Sequence, residues 1–298
     1  MFTFIVFLLC LWLIFSVLLV GQQLLLFKCG LFFLGGAIFY SFGAYSSAIL
    51  NIKFHTPPVL SILVSILLSG FLSFCIGYPL IKKLKQDYFA LVSLAISLVF
   101  FVIYRSFAPG GNSGLAGIES LNSFFTSINI SSKISDLLFV LLFALLAFWS
   151  ISKIYKTRLG LLFNASRMDE NKLQVLGFSP FKIKMQAFII SGLLGGAAGA
   201  LQAHFIGAID PGLSSLSQTI LILSGTILSG RKTIWGCFIG SFFIIIVPEI
   251  IQRLLSIQFE TLLHIFPAIQ ILYGLLIIII AFSMFPYTRT FLRVDLLK

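Results

Sequence analysis

Charge is scarce in this sequence. Lys, Arg, Asp and Glu make up 10% of its 298 residues, and only nine of them are acidic. Soluble globular domains carry about 25% charged residues, so a freely soluble fold with a solvated surface is excluded. Catalytic constellations are missing too. There are three His, no Ser/His/Asp arrangement, no paired carboxylates and no GxxxxGK[ST] phosphate loop. The chain therefore does not hydrolyse ATP by itself, and no enzymatic role or cofactor is implied. The four cysteines, Cys10, Cys29, Cys75 and Cys237, show no CxxC or other metal-ligand spacing; they read as small residues inside apolar helices. The N-terminus has no basic region, since the first lysine is Lys28. Leu9 is bulky where a lipoprotein cleavage site ahead of Cys10 needs a small residue. A retained first span is expected rather than a removed signal.

What fills the chain is apolar. Hydrophobic residues make up 59%, and the mean hydropathy is +1.10. A helix needs roughly 20 apolar residues to cross a bilayer, and such runs recur almost throughout. The expectation is an all-α, polytopic integral membrane protein of about 8–10 transmembrane helices, with 1–298 a single transmembrane domain. Nine hydrophobic segments fall near 3–26, 30–50, 57–80, 88–107, 135–155, 185–208, 217–230, 233–252 and 266–286. The seventh is short enough to be re-entrant or broken.

Net charge is +11. In this context it records the excess of Lys and Arg in cytoplasmic loops, not nucleic-acid binding. With the N-terminus outside and nine crossings, the inner loops hold 16 of the 20 basic residues, leaving Lys53, Arg105, Lys133 and Arg253 outside. The most polar loop, about 156–184, then lies in the cytoplasm. It reads "RLGLLFNASRMDENKLQVLGFSPFKIK" from Arg158 to Lys184. Ser166 is the expected N-cap, with Asp169 closing a capping box. Asp169 and Glu170 occupy the first turn, where the helix dipole favours anions. Gly177 suits the left-handed C′ position and Pro180 blocks continuation. The expected helix spans about 167–176. Ten residues are marginal alone in water, so the membrane domain and a cytoplasmic partner are expected to cover it.

Other features have modest readings. Gly192–Gly196 and Gly195–Gly199 give overlapping GxxxG spacings, which suit close helix packing, within the subunit or against a second one. Segment two is rich in glycine (Gly30, Gly35, Gly36, Gly43), which suggests a tight crossing or a broken helix facing a polar solute. The outer loop from Pro109 to Gly114 is turn-rich, either a connection or a nest of N–H groups for a carboxylate. Glu249 and Arg253 are spaced for an i,i+4 ion pair. His204 reads as a hydrogen-bonded interfacial residue with no metal or proton-relay role.

Six stretches carry a family resemblance: RMDENKLQVLG (167–177), KMQAFIISGLLGGAAGAL (184–201), GLFFLGGAIFYSFGAY (30–45), KLKQDYFALVSLA (83–95), GGNSGLAGI (110–118) and ILSGRKTIWGCFIGS (227–241). Taken in chain order, they resemble the LivM-type permease subunit of branched-chain amino-acid ABC importers, over about 30–250. Departures fall at Asn171, Lys172 and Leu173, at Phe33 and Gly36, and at Ser229 and Cys237. The resemblance implies a passive permease in the bacterial inner membrane. ABC ATPase subunits would grip a coupling helix at Arg167, Asp169, Glu170, Leu176 and Gly177. Its implied partners are a second permease subunit, an extracytoplasmic solute-binding protein and membrane lipid. The implied substrate path includes Gly43, Tyr45, Tyr88, Ser93, Gly110, Gly111 and Gly114.

Urea or another small solute is an alternative cargo. An ion-coupled secondary transporter would need buried acids or unwound helices in matching halves, and the chain shows no internal repeat. A membrane-embedded enzyme lacks a catalytic cluster. Neighbouring reading frames that encode ABC ATPases and a secreted binding protein would separate these classes.

Overall fold

The computed structural model describes residues 2–84, 86–121, 132–230, 233–250, 253 and 274. Among the described residues ten α-helices follow in order: α1 (Phe2–Gln23), α2 (Gly36–Phe54), α3 (Pro58–Lys83), α4 (Gln86–Phe107), α5 (Ser132–Lys156), α6 (Arg158–Met168), α7 (Glu170–Val175), α8 (Pro180–Ile206), α9 (Leu216–Ser229) and α10 (Gly236–Ser241). Among the described residues five helical stretches are long and apolar enough to cross a membrane: Thr3–Cys29, Pro58–Lys83, Tyr88–Phe107, Ser135–Lys156 and Pro180–Ile206. Eight of the nine expected segments fall wholly or largely on helices here, and the ninth lies outside the described residues except for Gly274.

The helices differ in what surrounds them. α3, α4 and α5 expose Leu67, Phe71, Leu91, Val99, Leu142 and Trp149, an apolar girdle suited to lipid contact. α2 is the reverse. It carries Ser41, Ser46, Ser47 and Asn51, too polar to face lipid, and most of its residues are buried among its neighbours. Ser41 donates to the Ala37 carbonyl at 2.7 Å, one turn back, which satisfies its hydroxyl without an outside partner.

α8 is the axis of the bundle, packed on α1, α2 and α3. Its glycine face explains how three helices fit around it. A methyl added at Gly199 would enter the Tyr40 carbonyl, one at Gly196 the Ser69 side chain, and one at Gly192 the Ser73 side chain. Reciprocally, a methyl at Gly43 would run into the Gly196 backbone. The GxxxG pattern is thus used inside the subunit, where small residues let backbones meet.

Two helices are interrupted. α1 continues as a π-helical turn, Leu24–Cys29, closed by left-handed Gly30 (φ 70°); residues 30–35 are then non-helical before α2. At membrane depth such backbone must find partners inside the protein. The Leu34 N–H donates to Ser93 Oγ at 3.0 Å. Gln22 fills the space where a side chain at Gly36 would sit. The second interruption separates α9 from α10. There the Gln23 amide donates to the Gly230 and Thr233 carbonyls, each at 2.9 Å. Beyond α10 the helix passes through a π turn, Phe242–Ile246, and runs on to Ile250. Arg253 stacks over the Phe4 ring at 3.8 Å.

Candidate functional site

The cation-rich polar loop folds into two short helices, α6 and α7, at the end of the bundle that carries Lys28, Lys82 and Lys153. α6 buries Phe163 and Ser166 against the membrane domain. Arg167, at its last turn, donates from Nη1 to the Phe27 carbonyl at 2.8 Å, and its aliphatic stem lies over Gly30. α6 is thereby tied to the π turn that ends α1.

The break between α6 and α7 corrects the sequence expectation. A single helix over 167–176 capped by Ser166 does not form, because Ser166 is already buried inside α6. Asp169 is extended (φ −162°, ψ 107°) and caps α7 itself. Its Oδ1 accepts the N–H of Asn171 at 3.0 Å and of Lys172 at 3.1 Å, and its Oδ2 pairs with Lys172 Nζ at 3.4 Å. The Lys172 backbone N–H, with that ammonium and the Asn171 N–H behind it, holds the carboxyl below the usual carboxylate range.

The other end of α7 is closed as expected. Gly177 is left-handed (φ 84°). The Phe178 N–H reaches the Leu173 carbonyl at 3.1 Å and the Gly177 N–H reaches Gln174 at 2.9 Å. These two bonds form a Schellman motif. Leu173 is buried and anchors the helix. Glu170 forms an ion pair with Lys184 of α8. On the outer side Met168, Val175, Leu176 and Phe178 are exposed, at 80%, 89%, 72% and 46%. A cavity of about 450 Å³ lies beside the module, between α7 and the ends of α3 and α4.

The expected path residues do not form one cluster. Ser93 is buried and meets the unwound 30–35 segment. Tyr88 is exposed near the start of α4. Gly43 lies inside the α2–α8 crossing. Tyr45 is buried towards the opposite end, stacked on Tyr104 with ring centroids 4.1 Å apart and planes 3° apart. Gly110, Gly111 and Gly114 share the loop after α4, all with positive φ (85°, 51° and 74°).

That loop is fastened to the bundle. Strand β1 (Leu115–Ala116) pairs antiparallel with β2 (Ala208–Ile209), Leu115 opposite Ile209 and Ala116 opposite Ala208. A methyl at Gly114 would enter the Ile209 carbonyl. Beneath, His204 is fully buried. Its Nδ1 lies 2.7 Å from the Glu119 carbonyl, which can only accept, so Nδ1 carries the proton in this assignment. Its Nε2 meets Ser47 Oγ at 2.8 Å and Ser61 Oγ at 3.0 Å. Asn51 Oδ1 accepts the Glu119 N–H at 2.9 Å. His204 is hydrogen-bonded as expected, but inside the bundle rather than at its interface. The loop's N–H groups at Gly111, Ser113 and Gly114 bond carbonyls of the same loop. They are committed to the turn, so the nest reading gives way to a clasp.

Tyr104, Asn51, Glu119 and Lys184 were not singled out from the sequence. Nothing in their spacing marks them, because each acts through a contact distant along the chain. Among the described residues no three His, Cys, Asp or Glu side chains come together as a metal site would need.

The helices thus form a multi-pass membrane domain with a capped, externally apolar helix pair at its basic end. The family described as the branched-chain amino acid transport system/permease component matches residues 4–281, and the chain belongs to it. It is 25% identical over 262 residues to the high-affinity branched-chain amino acid transport system permease proteins LivM of Salmonella typhimurium and Escherichia coli, covering 80% of this chain and 61% of each of theirs. It is 27% identical over 226 residues to a probable branched-chain amino acid transport permease protein, LivH, of Methanocaldococcus jannaschii, covering 74% of this chain and 71% of that one. The chain spans about three fifths of the length of the two LivM relatives. No solved structure matches it.

Proposed function

We propose that this chain is a membrane-spanning permease subunit of an ABC importer for branched-chain amino acids, seated in a bacterial inner membrane. Separate ATPase subunits dock on α7, a second permease subunit completes the pore, and an extracytoplasmic binding protein delivers the solute. The observation that carries the reading is the exposed apolar group Met168, Val175, Leu176 and Phe178 at the end of α6 and around the C-terminal end of α7, a helix whose two ends are locally closed. Such a group in water asks for a protein partner, and the positive-inside bias puts it in the cytoplasm. Of the implied coupling residues, Leu176 offers a contact surface, Asp169 and Gly177 shape the helix, and Arg167 and Glu170 tie it to the membrane domain. Tyr45, Gly43, Ser93, Tyr88 and the glycines of the outer clasp remain the candidates for the path. The buried Tyr45 hydroxyl has no hydrogen-bond partner among the described residues, as a group reserved for a passing polar solute would.

The test is uptake of radiolabelled leucine, isoleucine or valine in cells carrying or lacking this chain, with urea as competitor. Loss of leucine uptake without the chain, unaffected by urea, is expected. Uptake of urea alone would replace the proposed cargo. Co-purification of the ATPases encoded beside the chain, reduced by Leu176→Asp, is the companion measurement.

A further inference from the structure

α7 is set off from its neighbours along the chain. Extended Asp169 separates it from α6, and left-handed Gly177 separates it from α8. Movement imposed on α7 therefore reaches α8 through the four-residue connection from Leu176 to Ser179 and through side chains. One side-chain link stands out. Lys184, in the second turn of α8, has a side chain only 13% exposed, and its ammonium pairs with the Glu170 carboxylate at the first position of α7. Glu170 is thus turned toward the membrane domain, while Val175 and Leu176 face outward. The cavity bordered by Leu31, Ile81 and Phe89 is lined as well by Glu170 and by Pro180, Phe181 and Lys184 of α8, so α7 is not closely packed there and the ion pair is bordered by open space.

We propose that Lys184 is a positioning residue for energy coupling: through Glu170 it clamps α7 to α8, so that the two helices move together when an ATPase moves α7. The proposal rests on the coupling reading of α7. It reassigns Glu170 from a contact for the ATPase to a contact within the permease. Among the described residues the ammonium is held by a single carboxylate, so charge and not shape defines the clamp.

The whole transporter, with both permeases, the ATPases and the binding protein, is reconstituted in liposomes with Lys184→Gln, Lys184→Arg, Glu170→Gln and the swap Glu170→Lys with Lys184→Glu. ATPase co-purification, ATP hydrolysis and uptake per ATP are read separately. Lys184→Gln is expected to keep its ATPases and to hydrolyse ATP, yet to lose about fivefold in uptake per ATP, the scale on which residues along a coupling path act. Lys184→Arg is expected to stay near wild type, and the swap to recover most of what Glu170→Gln loses. Unchanged uptake per ATP in Lys184→Gln, or a swap no better than the single variants, overturns the proposal. If the neutral variants fail to reach the membrane, the swap decides: full level with coupled uptake supports the clamp, and loss of the swap as well overturns it. Failure of the unaltered chain to bind ATPases would instead overturn the coupling reading itself.

Discussion

Gly177 and Gly43 are both glycines by necessity, for opposite reasons. At Gly177 a methyl would meet nothing within 4 Å, yet φ is 84°; the constraint is backbone conformation alone. Asn tolerates the left-handed region and a β-branched residue does not. Gly177→Asn should leave ATPase co-purification near wild type, whereas Gly177→Val should weaken it by about five- to thirtyfold, the left-handed cost being roughly 1–2 kcal/mol. Equal behaviour of the two would remove the Schellman end from the argument. At Gly43 the constraint is space, and Gly43→Ala should lower the melting temperature of the detergent-solubilised protein, with an overpacking cost of about 1–3 kcal/mol. Asp169 adds a pH signature. Its folded carboxyl is held low, so its capping contribution is complete above the unfolded carboxylate value of about 3.9 and disappears as pH falls through the folded value. ATPase association should not vary with this residue between pH 6 and 8. Asp169→Ala should weaken it at both, since Ala cannot cap.

Helices were readable where length and apolarity decide. The runs that became α3, α4, α5 and α8 announce themselves because a bilayer demands about 20 apolar residues. The breaks were harder. Residues 30–35 read Gly-Leu-Phe-Phe-Leu-Gly, as apolar as any span, and what holds them open is a hydroxyl 59 positions away at Ser93. The split between α6 and α7 was missed because Ser166 and Asp169 are both good caps, and tertiary burial of Ser166 chose between them. Of the candidate site, the left-handed end of α7 was visible in Gly177 and Pro180, while the Lys184 contact and the His204 network were not. The outer clasp yields an element-level prediction. Gly114→Val forces a side chain into the Ile209 carbonyl and should part β1 from β2. Solute uptake should fall while the ATPases still co-purify, because the clasp lies at the far end of the bundle from α7. Normal uptake would reduce the clasp to a connector.

Across the whole protein, orientation is the property most open to direct test. Ser166, in the same polar loop, is buried and would not report. Val175 and Asn112 are exposed, at opposite ends of the bundle. With the native cysteines replaced, Val175→Cys should react with an impermeant maleimide only after the membrane is opened, and Asn112→Cys in intact cells. The reverse pattern would invert the topology and remove α7 from reach of any cytoplasmic ATPase.

The glycine face of α8 also bears on how such a protein can move. Where side chains separate two helices, they can hop between rotamers and let the helices slide. Between α8 and α2 there is almost no such layer: the Gly43 backbone rests on Gly196, and the Tyr40 backbone on Gly199. A joint without a cushion does not shear. α2 and α8 are therefore expected to move as one stiff pair, so that opening of a passage comes from tilting that pair as a unit or from displacing the helices around it.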